Sequence, residues 1–294
     1  MDTQRPENNA EVSLDTAPKP SALRVAKLRA AHQLLDRPLV FADTLALKIL
    51  GASEEASLRN NLFRLDTPRL KTLRASLVVR SRLAEEEWAL SKARGIRQYV
   101  LLGAGLETFA YRTPEQDGVR LFEVDLPTTQ QWKRLRLRAA GITEPESLSF
   151  VPVDFESTKL AEGLGRNSFS LTEPAFFSWL GVTMYLEELA ILETLRFIAS
   201  LPPGSGIVFD YGVPLELLTP AERAGGEFLA DRGAVQGEPW KTYFDPIFLT
   251  AKLRSLGFKE IQDLGAEQLN DRYFSGRTDG LRKSRLSRLV CARI

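Results

Sequence analysis

The stretch that decides the fold is YVLLGAGLETFAYR, residues Tyr99–Arg112, followed by LFEVDLP, residues Leu121–Pro127. In the first stretch an apolar run ends in the glycine-rich triplet GAG at 103–105, and in the second an apolar run ends in Glu123 and Asp125. This order is typical of a β-strand, a glycine turn, a helix and a second strand. In such units the strand ends face one crevice, where a ligand carrying a nucleoside commonly lies.

The residue types in this unit fit a nucleoside. Gly103 and Gly105 lack a Cβ, so the turn around Ala104 can be tight and a ligand can approach the backbone closely. A carboxylate such as Asp125 can accept two hydrogen bonds from a ribose diol. The dinucleotide fingerprint GxGxxG would need glycine at position 108, where this chain has Thr108. The pattern favours a nucleoside ligand, and an ordinary strand-to-helix turn without a ligand is the alternative.

The composition is that of a globular protein without a strong overall charge. The 294 residues are 44% hydrophobic and 26% charged, with a net charge of +1. So small a charge creates no field that would steer the chain toward nucleic acid or an anionic membrane. The single Cys291 excludes an internal disulfide, and with the single His32 it argues against a metal site. We therefore expect no metal and neither nucleic acid nor membrane as a partner.

The chain divides into three predicted parts. Residues 1–20 are polar and proline-containing and predict a disordered tail without the features of a signal peptide, which points to the cytoplasm. Residues 21–94 predict a helical cap, helical throughout. Residues 95–294 predict an α/β domain, in which residues 213–245 break the alternation and predict a partly helical lid insertion.

Strands and helices alternate along the α/β domain. Predicted strands cover Gln98–Leu102, Arg120–Val124, Ser149–Val153, Ala175–Leu180, Gly206–Tyr211, Lys259–Leu264 and Leu286–Ala292. Predicted helices include Thr128–Ala140, Glu187–Ser200 and Pro246–Leu256. This alternation predicts a mostly parallel sheet with helices on both faces, and the last two strands are expected to pair antiparallel.

Further candidates for ligand binding lie at the carboxyl edge of this sheet. Asp154 ends the third strand, where its carboxylate could accept the exocyclic amine of an adenine while Phe155 covers the ring. The alternative for Asp154 is a cap on the following turn. The helix before the first strand carries Arg74, Arg80 and Arg82, of which one could pair with a ligand carboxylate, and the alternative is that all three lie in solvent. The basic run from Lys133 to Arg138 is interpreted as an exposed helix face.

Two catalytic motifs are missing from the sequence, and their absence limits the reactions that we consider. No Walker lysine follows the glycines, and no Cys/His catalytic set can be assembled. A reaction that needs only a bound electrophile, proximity and a dry site suits these residues, and methyl transfer from a sulfonium is such a reaction. The alternatives are a nicotinamide-dependent oxidoreductase and a non-catalytic protein that keeps the cofactor pocket.

Several segments resemble the leucine carboxyl methyltransferase-like family of S-adenosylmethionine-dependent methyltransferases, and most of all its bacterial O-methyltransferase branch. The segments are GAGLETFAYR, FEVDLP, FFSWLGVTMYL and GSGIVFDYG, with RAAHQLLDRPLVFADTLALKIL and RYFSGRTDGL near the two ends. The resemblance covers about residues 22–294. It implies a class I methyltransferase fold, Rossmann-like, with seven strands, and S-adenosylmethionine as the cofactor.

The resemblance also implies roles for single residues. Residues 103–105 would bound the cofactor pocket, Asp125 would hold the ribose, with Glu123 as the weaker candidate, and Asp154 with Phe155 would hold the adenine. Arg80 matches the arginine that pairs with the methionine carboxylate, and Arg29 is a second basic contact. The family glutamate before the Gly-Val of the fourth-strand motif is replaced by Leu180.

We therefore expect an O-methyltransferase that acts on the hydroxyl or carboxylate of a small molecule. The sequence assigns no general base, and Tyr185, Tyr211 and Tyr243 are candidates by position alone. It leaves open the identity of the acceptor and the oligomeric state.

Overall fold

The computed structural model describes residues 19–112 and 118–294 of the chain. Its strands are β1 Gln98–Leu102, β2 Arg120–Asp125, β3 Leu148–Pro152, β4 Ala175–Trp179, β5 Gly206–Gly212, β6 Glu260–Leu264 and β7 Ser287–Arg293. They form one sheet in the order β3-β2-β1-β4-β5-β7-β6. The first five strands of this order, from β3 at the edge to β5, are parallel to their neighbours. The strand β7 is antiparallel to both β5 and β6. The predicted strands and the antiparallel final pair are confirmed.

Eleven helices surround the sheet in the described ranges. They are α1 Pro20–Leu35, α2 Ala52–Asn60, α3 Leu62–Leu65, α4 Pro68–Ala93, α5 Phe109–Arg112, α6 Pro127–Ala139, α7 Leu160–Gly165, α8 Glu188–Ala199, α9 Pro220–Val235, α10 Pro246–Leu256 and α11 Ala266–Tyr273. Short 3-10 turns lie at Lys48–Leu50, Thr183–Tyr185 and Leu215–Leu217. None of the helices in these ranges has the length and apolarity to cross a membrane.

The core lies on both faces of the sheet. Along β1, Tyr99 and Leu101 belong to one buried cluster and Val100 and Leu102 to the other, because successive side chains of a strand point to opposite faces. On the first face the indole of Trp88 in α4 stacks on the Tyr99 ring at 4.7 Å between centroids. This packing fixes α4 against β1, so residues of α4 reach the carboxyl edge of the sheet.

The prediction of an uninterrupted helical segment over residues 21–94 is wrong between α1 and α2. Residues 36–47 form bends and turns, because Pro38 lacks the N–H that a helix interior needs. His32 is fully buried and its Nε2 accepts from the backbone N–H groups of Val40 and Phe41, at 3.2 and 3.3 Å. Its Nδ1 lies 2.8 Å from Asp36 Oδ2, so the single histidine holds this connection together.

The predicted tail 1–20 lies outside the described residues except for its last two positions, of which Pro20 begins α1. The predicted lid insertion at 213–245 contains a 3-10 turn and α9, and is thus partly helical as expected. α9 begins with a capping box, in which Thr219 Oγ1 accepts a hydrogen bond from Glu222 N–H and the Glu222 carboxylate accepts one from Thr219 N–H.

Candidate active site

A cavity of about 1020 Å³ lies at the carboxyl edge of the parallel strands. It is centred where β1 and β4 are neighbours and the strand order reverses, which is where open α/β sheets bind their ligands. Its walls come from α1, α4, the segments that follow β1 to β5, α9 and residues 282–287. Among the predicted site residues, those that line the cavity are Arg29, Arg80, Gly103, Ala104, Gly105, Asp125, Asp154 and Phe155.

The glycine turn after β1 and the end of β2 form one hydrogen-bonded unit. The N–H groups of Gly103 and Ala104 donate to Val124 O at 2.7 and 3.1 Å. Gly105 N–H donates to Asp125 Oδ2 at 2.6 Å, and Leu126 N–H donates to Oδ1 at 2.7 Å. Burial raises the pKa of Asp125, although these two N–H groups work against it. Each oxygen keeps a lone pair, so Asp125 can accept a ligand diol while the turn holds it.

Gly103 is required by the space around it. Its φ is +66°, and a Cβ there would lie 2.3 Å from Val182 Cγ2, closer than real atoms approach. Val182 follows β4, so the two loops that flank the switch point pack directly on each other. Only glycine allows this approach, which keeps the floor of the cavity flat beside the reversal of strand order.

Glu123 is not brought to the cavity. Its side chain is fully buried, and Oε2 accepts from Lys133 Nζ at 2.7 Å and from Tyr111 Oη at 3.2 Å. Burial raises the pKa of Glu123 against the effect of Lys133. The interpretation of residues 133–138 as an exposed face is therefore wrong for Lys133, which α6 turns inward to this carboxylate, while Arg134 and Arg138 are exposed.

Asp154 and Phe155 lie together on the wall beyond β3. Asp154 Oδ1 accepts from Glu156 N–H at 3.0 Å, so the carboxylate caps the following turn as well as lining the cavity. The half-buried Phe155 ring packs against Trp179 at 5.5 Å between centroids. A flat ring therefore stands next to a carboxylate with an oxygen to spare, which suits a heteroaromatic base carrying an amine.

Arg80 reaches the cavity from α4 and meets an acid that the sequence analysis missed. Its Nη1 donates to Asp210 Oδ2 at 3.0 Å, and Asp210 Oδ1 accepts from Gly181 N–H at 2.5 Å. A Cβ on Gly181 would lie 2.5 Å from Arg80 Nη2, so glycine is needed beneath the guanidinium. Asp210 interrupts the apolar strand GIVFDYG, and this buried acid between aromatic residues was the signal for it.

Arg29 is buried, and most of its donors are used within the protein. Nη2 donates to Asp43 Oδ2 at 2.6 Å and Nη1 to Glu107 Oε2 at 2.8 Å. Burial opposes its charge, but Glu107 and Asp43 outweigh burial and the pKa of Arg29 is raised. The guanidinium thus ties the loop after α1 to the loop after β1, and only Nε lacks a hydrogen-bond partner.

The three tyrosines that were candidates for a base differ in position. Tyr185 lines the cavity, whereas Tyr211 donates its hydroxyl to Asp263 Oδ2 at 2.7 Å and Tyr243 packs near Trp240. Burial raises the pKa of all three phenols. A base at neutral pH would need a lowered phenol pKa, so none of them suits that role.

The predicted lid insertion forms one wall of the cavity. Phe228 and Trp240 line it, and Arg69 of α4 stacks on the Phe228 ring with Cζ 3.3 Å from the centroid. Ser21 at the start of α1 donates its N–H and its hydroxyl to the Glu238 carboxylate, at 2.9 and 2.6 Å. Contacts from α1 and α4 therefore hold the lid over the cavity.

Three glycines of the lid insertion have different roles. Gly226 and Gly233 lie inside α9, where a Cβ would meet Leu215 at 2.7 Å and the carbonyl of Glu238 at 2.5 Å, so they serve close packing. Gly237 has a φ of +75° and follows α9, and it turns the chain back toward Glu238.

The order of the seven strands, with helices on both faces of the sheet, is that of a class I methyltransferase fold. The chain is 16% identical to the crystal structure of "a putative methyltransferase" from Thermobifida fusca, with a TM-score of 0.59 over 98% of this chain and 99% of that one. A DUF574 family protein from Streptomyces avermitilis gives a TM-score of 0.55 at 17% identity, over 84% of this chain and 94% of that one. At such low identity these likenesses concern the fold alone.

The family model for leucine carboxyl methyltransferase matches residues 22–199. The chain is also 34% identical over 284 residues to the "Putative S-adenosyl-L-methionine-dependent methyltransferase YktD" of Bacillus subtilis, covering 89% of this chain and 93% of that protein. A "Putative S-adenosyl-L-methionine-dependent methyltransferase" of Mycobacterium marinum is 35% identical, over 51% of this chain and 49% of that protein. The chain belongs to the leucine carboxyl methyltransferase family of S-adenosylmethionine-dependent methyltransferases.

Proposed function

We propose that this methyltransferase transfers the methyl group of S-adenosylmethionine to an oxygen atom of a small molecule. S-adenosylmethionine is the cofactor of its family, and when bound it supplies an electrophilic methyl group on a sulfonium. The observation that carries the proposal is one enclosed space, lined on one side by Asp125 and Asp154 and on the other by the apolar lid.

The residues at the sheet edge fit this cofactor chemically. The spare lone pairs of Asp125 suit a ribose diol, and Asp154 beside the Phe155 ring suits an adenine with its exocyclic amine. Asp210 accepts a hydrogen bond from Arg80 Nη1, so Arg80 Nη2 remains available to pair with a methionine carboxylate. The absent Cβ atoms at Gly103 and Gly181 make room for Val182 and for the Arg80 guanidinium, and both of these residues line the cavity. The binding roles of these residues remain predictions.

Leu180 leaves no carboxylate at the position where the family carries a glutamate for the cofactor amino group. Leu180 is half-buried and lines the cavity, as do Glu85 and Glu107. Glu107 pairs with Arg29, and Glu85 is hydrogen-bonded to Arg112. We expect these two acids to supply the negative charge for the amino group from the opposite wall.

The acceptor is expected to be small because the lid limits the open space. The cavity is at the upper end of the range of about 300–1000 Å³ that is typical of small-molecule sites, which allows a cofactor and a compact acceptor together. Phe228, Trp240 and Met184 form its apolar wall, which would exclude water from the methyl group. The residues would then act by holding two reactants in line and dry.

The test is methyl transfer from tritiated S-adenosylmethionine to a panel of phenols, aliphatic alcohols, carboxylic acids, amines and thiols, with heat-denatured protein as the control. Labelled methyl ether or ester is the expected product. If the protein binds S-adenosylhomocysteine but labels no member of the panel, the non-catalytic alternative is favoured. Label on nitrogen or sulfur compounds alone would overturn the proposed oxygen acceptor.

The cytoplasm as the compartment of this protein remains a prediction.

A further inference from the structure

A buried lysine stands at the acceptor side of the cavity without a role so far. Lys283 is 4% exposed and lines the cavity, as does Ser287, the first residue of β7. Because β7 runs antiparallel to β5, Ser287 is paired with Gly212 at the carboxyl end of β5. The pair therefore lies at the same edge as Asp125 and Arg80, next to the lid.

The amine of Lys283 contacts three oxygen atoms, none of them a carboxylate. Its Nζ donates to Ser284 O at 3.1 Å and to Ser287 Oγ at 3.2 Å, and it also donates to Ser287 O. Three acceptors match the three N–H groups of an ammonium. When the ammonium has lost a proton, the lone pair of the amine can accept from the Ser287 hydroxyl, which can donate as well as accept. Within the described residues Lys283 forms no ion pair with Asp or Glu.

The backbone of Lys283 is fixed independently of its amine. Its N–H donates to Asn270 Oδ1 at 2.9 Å, and its carbonyl accepts from Asn270 Nδ2 at 3.0 Å. α11 thereby positions the residue, so that removal of the amine need not displace the chain. The amine can therefore be changed by mutation as a test of chemistry.

The surroundings of the amine disfavour its charge. Burial lowers the pKa of Lys283 to about 8, against the attraction of Asp210 and with a smaller contribution from Arg288 and Arg80. The charged groups that face this position from other elements are Asp210 on β5, Arg288 on β7, Arg80 on α4, Glu222 on α9, and Glu267 and Asp271 on α11. The three tyrosines considered above have raised pKa values, so Lys283 is better suited than they are to accept a proton near neutral pH.

We propose that Lys283 and Ser287 form the proton relay of the methyl transfer and that the acceptor group is therefore a hydroxyl. The acceptor O–H gives its proton to Ser287 Oγ while the Ser287 hydroxyl gives its own to the Lys283 amine. The oxygen forms its bond to the methyl carbon as the bond from sulfur to carbon breaks, which leaves a neutral thioether and an ammonium on Lys283. The ammonium then releases its proton to solvent.

This inference rests on the proposed function and narrows it. A carboxylate acceptor is already ionised at neutral pH and has no proton to lose. A phenolic or alcoholic hydroxyl must lose one, and a positioned base contributes about 10²–10⁴-fold to such a step. A base in the cavity is thus useful for a hydroxyl acceptor only.

The test compares phenol with 4-nitrophenol, which ionises without help at mildly basic pH, and benzoate serves as the carboxylate probe. We expect Lys283→Met to lower the rate of phenol methylation about a hundredfold or more and to leave 4-nitrophenol nearly unchanged. Lys283→Arg, whose guanidinium stays charged, should fail to rescue phenol. The wild-type rate on phenol should rise with pH through about 8, because only the neutral amine accepts a proton.

The control variant is Lys259→Met, which removes an exposed lysine far from the cavity lining and should change neither rate. Equal losses on both phenols, or full activity of Lys283→Arg, would overturn the relay. Methylation of benzoate but of neither phenol would overturn the hydroxyl class while the O-methyltransferase function stands.

A second measurement works even if the wild type methylates none of these probes, which would count against the proposed function itself. The Lys283 amine is titrated by NMR in ¹⁵N-lysine-labelled protein with S-adenosylhomocysteine bound, and the Lys283→Arg variant assigns its signal. A midpoint near pH 8 supports the relay. An amine still charged at about pH 10, as for an ordinary lysine, would overturn it.

Discussion

The two sides of the cavity are held in different ways. The cofactor edge, formed by residues 103–105, Asp125 and Asp154, is fixed by backbone hydrogen bonds to the sheet and its turns. The lid at 213–245 is held over the cavity by contacts between side chains of separate elements, such as Arg69 on Phe228 and Ser21 on Glu238. The edge is therefore preorganised, whereas we expect the lid insertion to open when a few local contacts are lost.

This difference suits the function that we propose for each side. A cofactor with many polar groups needs donors and acceptors at fixed positions, which a strand edge provides. An acceptor must enter and a methylated product must leave, which a separately held lid permits. Mutations at the edge should therefore change stability or cofactor affinity, and mutations in the lid should change opening.

The largest effect is expected on the free energy of unfolding, for a substitution at the buried Glu123 of β2. Glu123→Ala leaves the buried ammonium of Lys133 without its carboxylate, and breaking a buried pair in this way costs about 3–5 kcal/mol. Urea unfolding should report this loss in the free energy of unfolding. Glu260→Ala, which removes an exposed partner of Arg293, should cost about 1 kcal/mol or less. Equal stability of the two variants would show that Glu123 does not support the edge.

The second effect separates Asp125 from Glu123. Asp125→Ala should weaken binding of S-adenosylhomocysteine about tenfold to a hundredfold, since it removes hydrogen bonds to a charged group worth about 1.5–3 kcal/mol. Calorimetry measures this affinity, and Glu123→Gln is the matched control on the same strand, outside the cavity lining. Unchanged affinity in the Asp125 variant would show that Asp125 does not hold the ribose.

A smaller effect is expected at Arg80, which contacts one half of the cofactor only. Arg80→Met should weaken S-adenosylhomocysteine about tenfold, roughly 1.4 kcal/mol, and leave adenosine binding nearly unchanged. Arg82→Met removes an exposed arginine two residues further along α4 and is expected to affect neither ligand. If adenosine weakens as much as S-adenosylhomocysteine, Arg80 acts on the structure through Asp210 and not on the ligand.

The smallest effect is expected in the lid. Glu238→Gln weakens the contact with Ser21 and should lower the free energy of lid opening by about 0.5–1.5 kcal/mol. Hydrogen exchange across residues 225–237 should then be faster, and it should slow again with S-adenosylhomocysteine and a phenol bound. Glu227→Gln, on the exposed face of α9, is the control. Slow exchange in the wild type that does not change on binding would exclude a mobile lid.

The sequence predicts the residues of the cofactor edge better than the rest of the cavity, because the residues of the edge lie close together along the chain. Positions 103–105 and Asp125 are set by a local strand-turn-helix pattern, which is visible within about thirty residues. Glu123 follows the same pattern, yet its side chain alternates to the other face of β2 and meets Lys133. A pattern of acids at a strand end therefore did not distinguish the residue at the cavity from the residue beneath it.

Other parts of the cavity depend on contacts between distant parts of the chain. Asp210 meets Arg80 across 130 positions, and Ser21 meets Glu238 across 217. Lys283 reaches the cavity because β7 is antiparallel and begins at the edge where β5 ends. No local periodicity carries these pairings, so they could be found only from the fold.

The most direct test of the cofactor edge is calorimetry of the wild-type protein with S-adenosylhomocysteine, and with NAD as the competing nucleoside ligand. We expect one molecule of S-adenosylhomocysteine to bind and NAD to give no heat of binding. At a hundredfold excess over its Kd, S-adenosylhomocysteine should add about 2.7 kcal/mol to the free energy of unfolding. Tight binding of NAD with none of S-adenosylhomocysteine would contradict the assignment of this cavity.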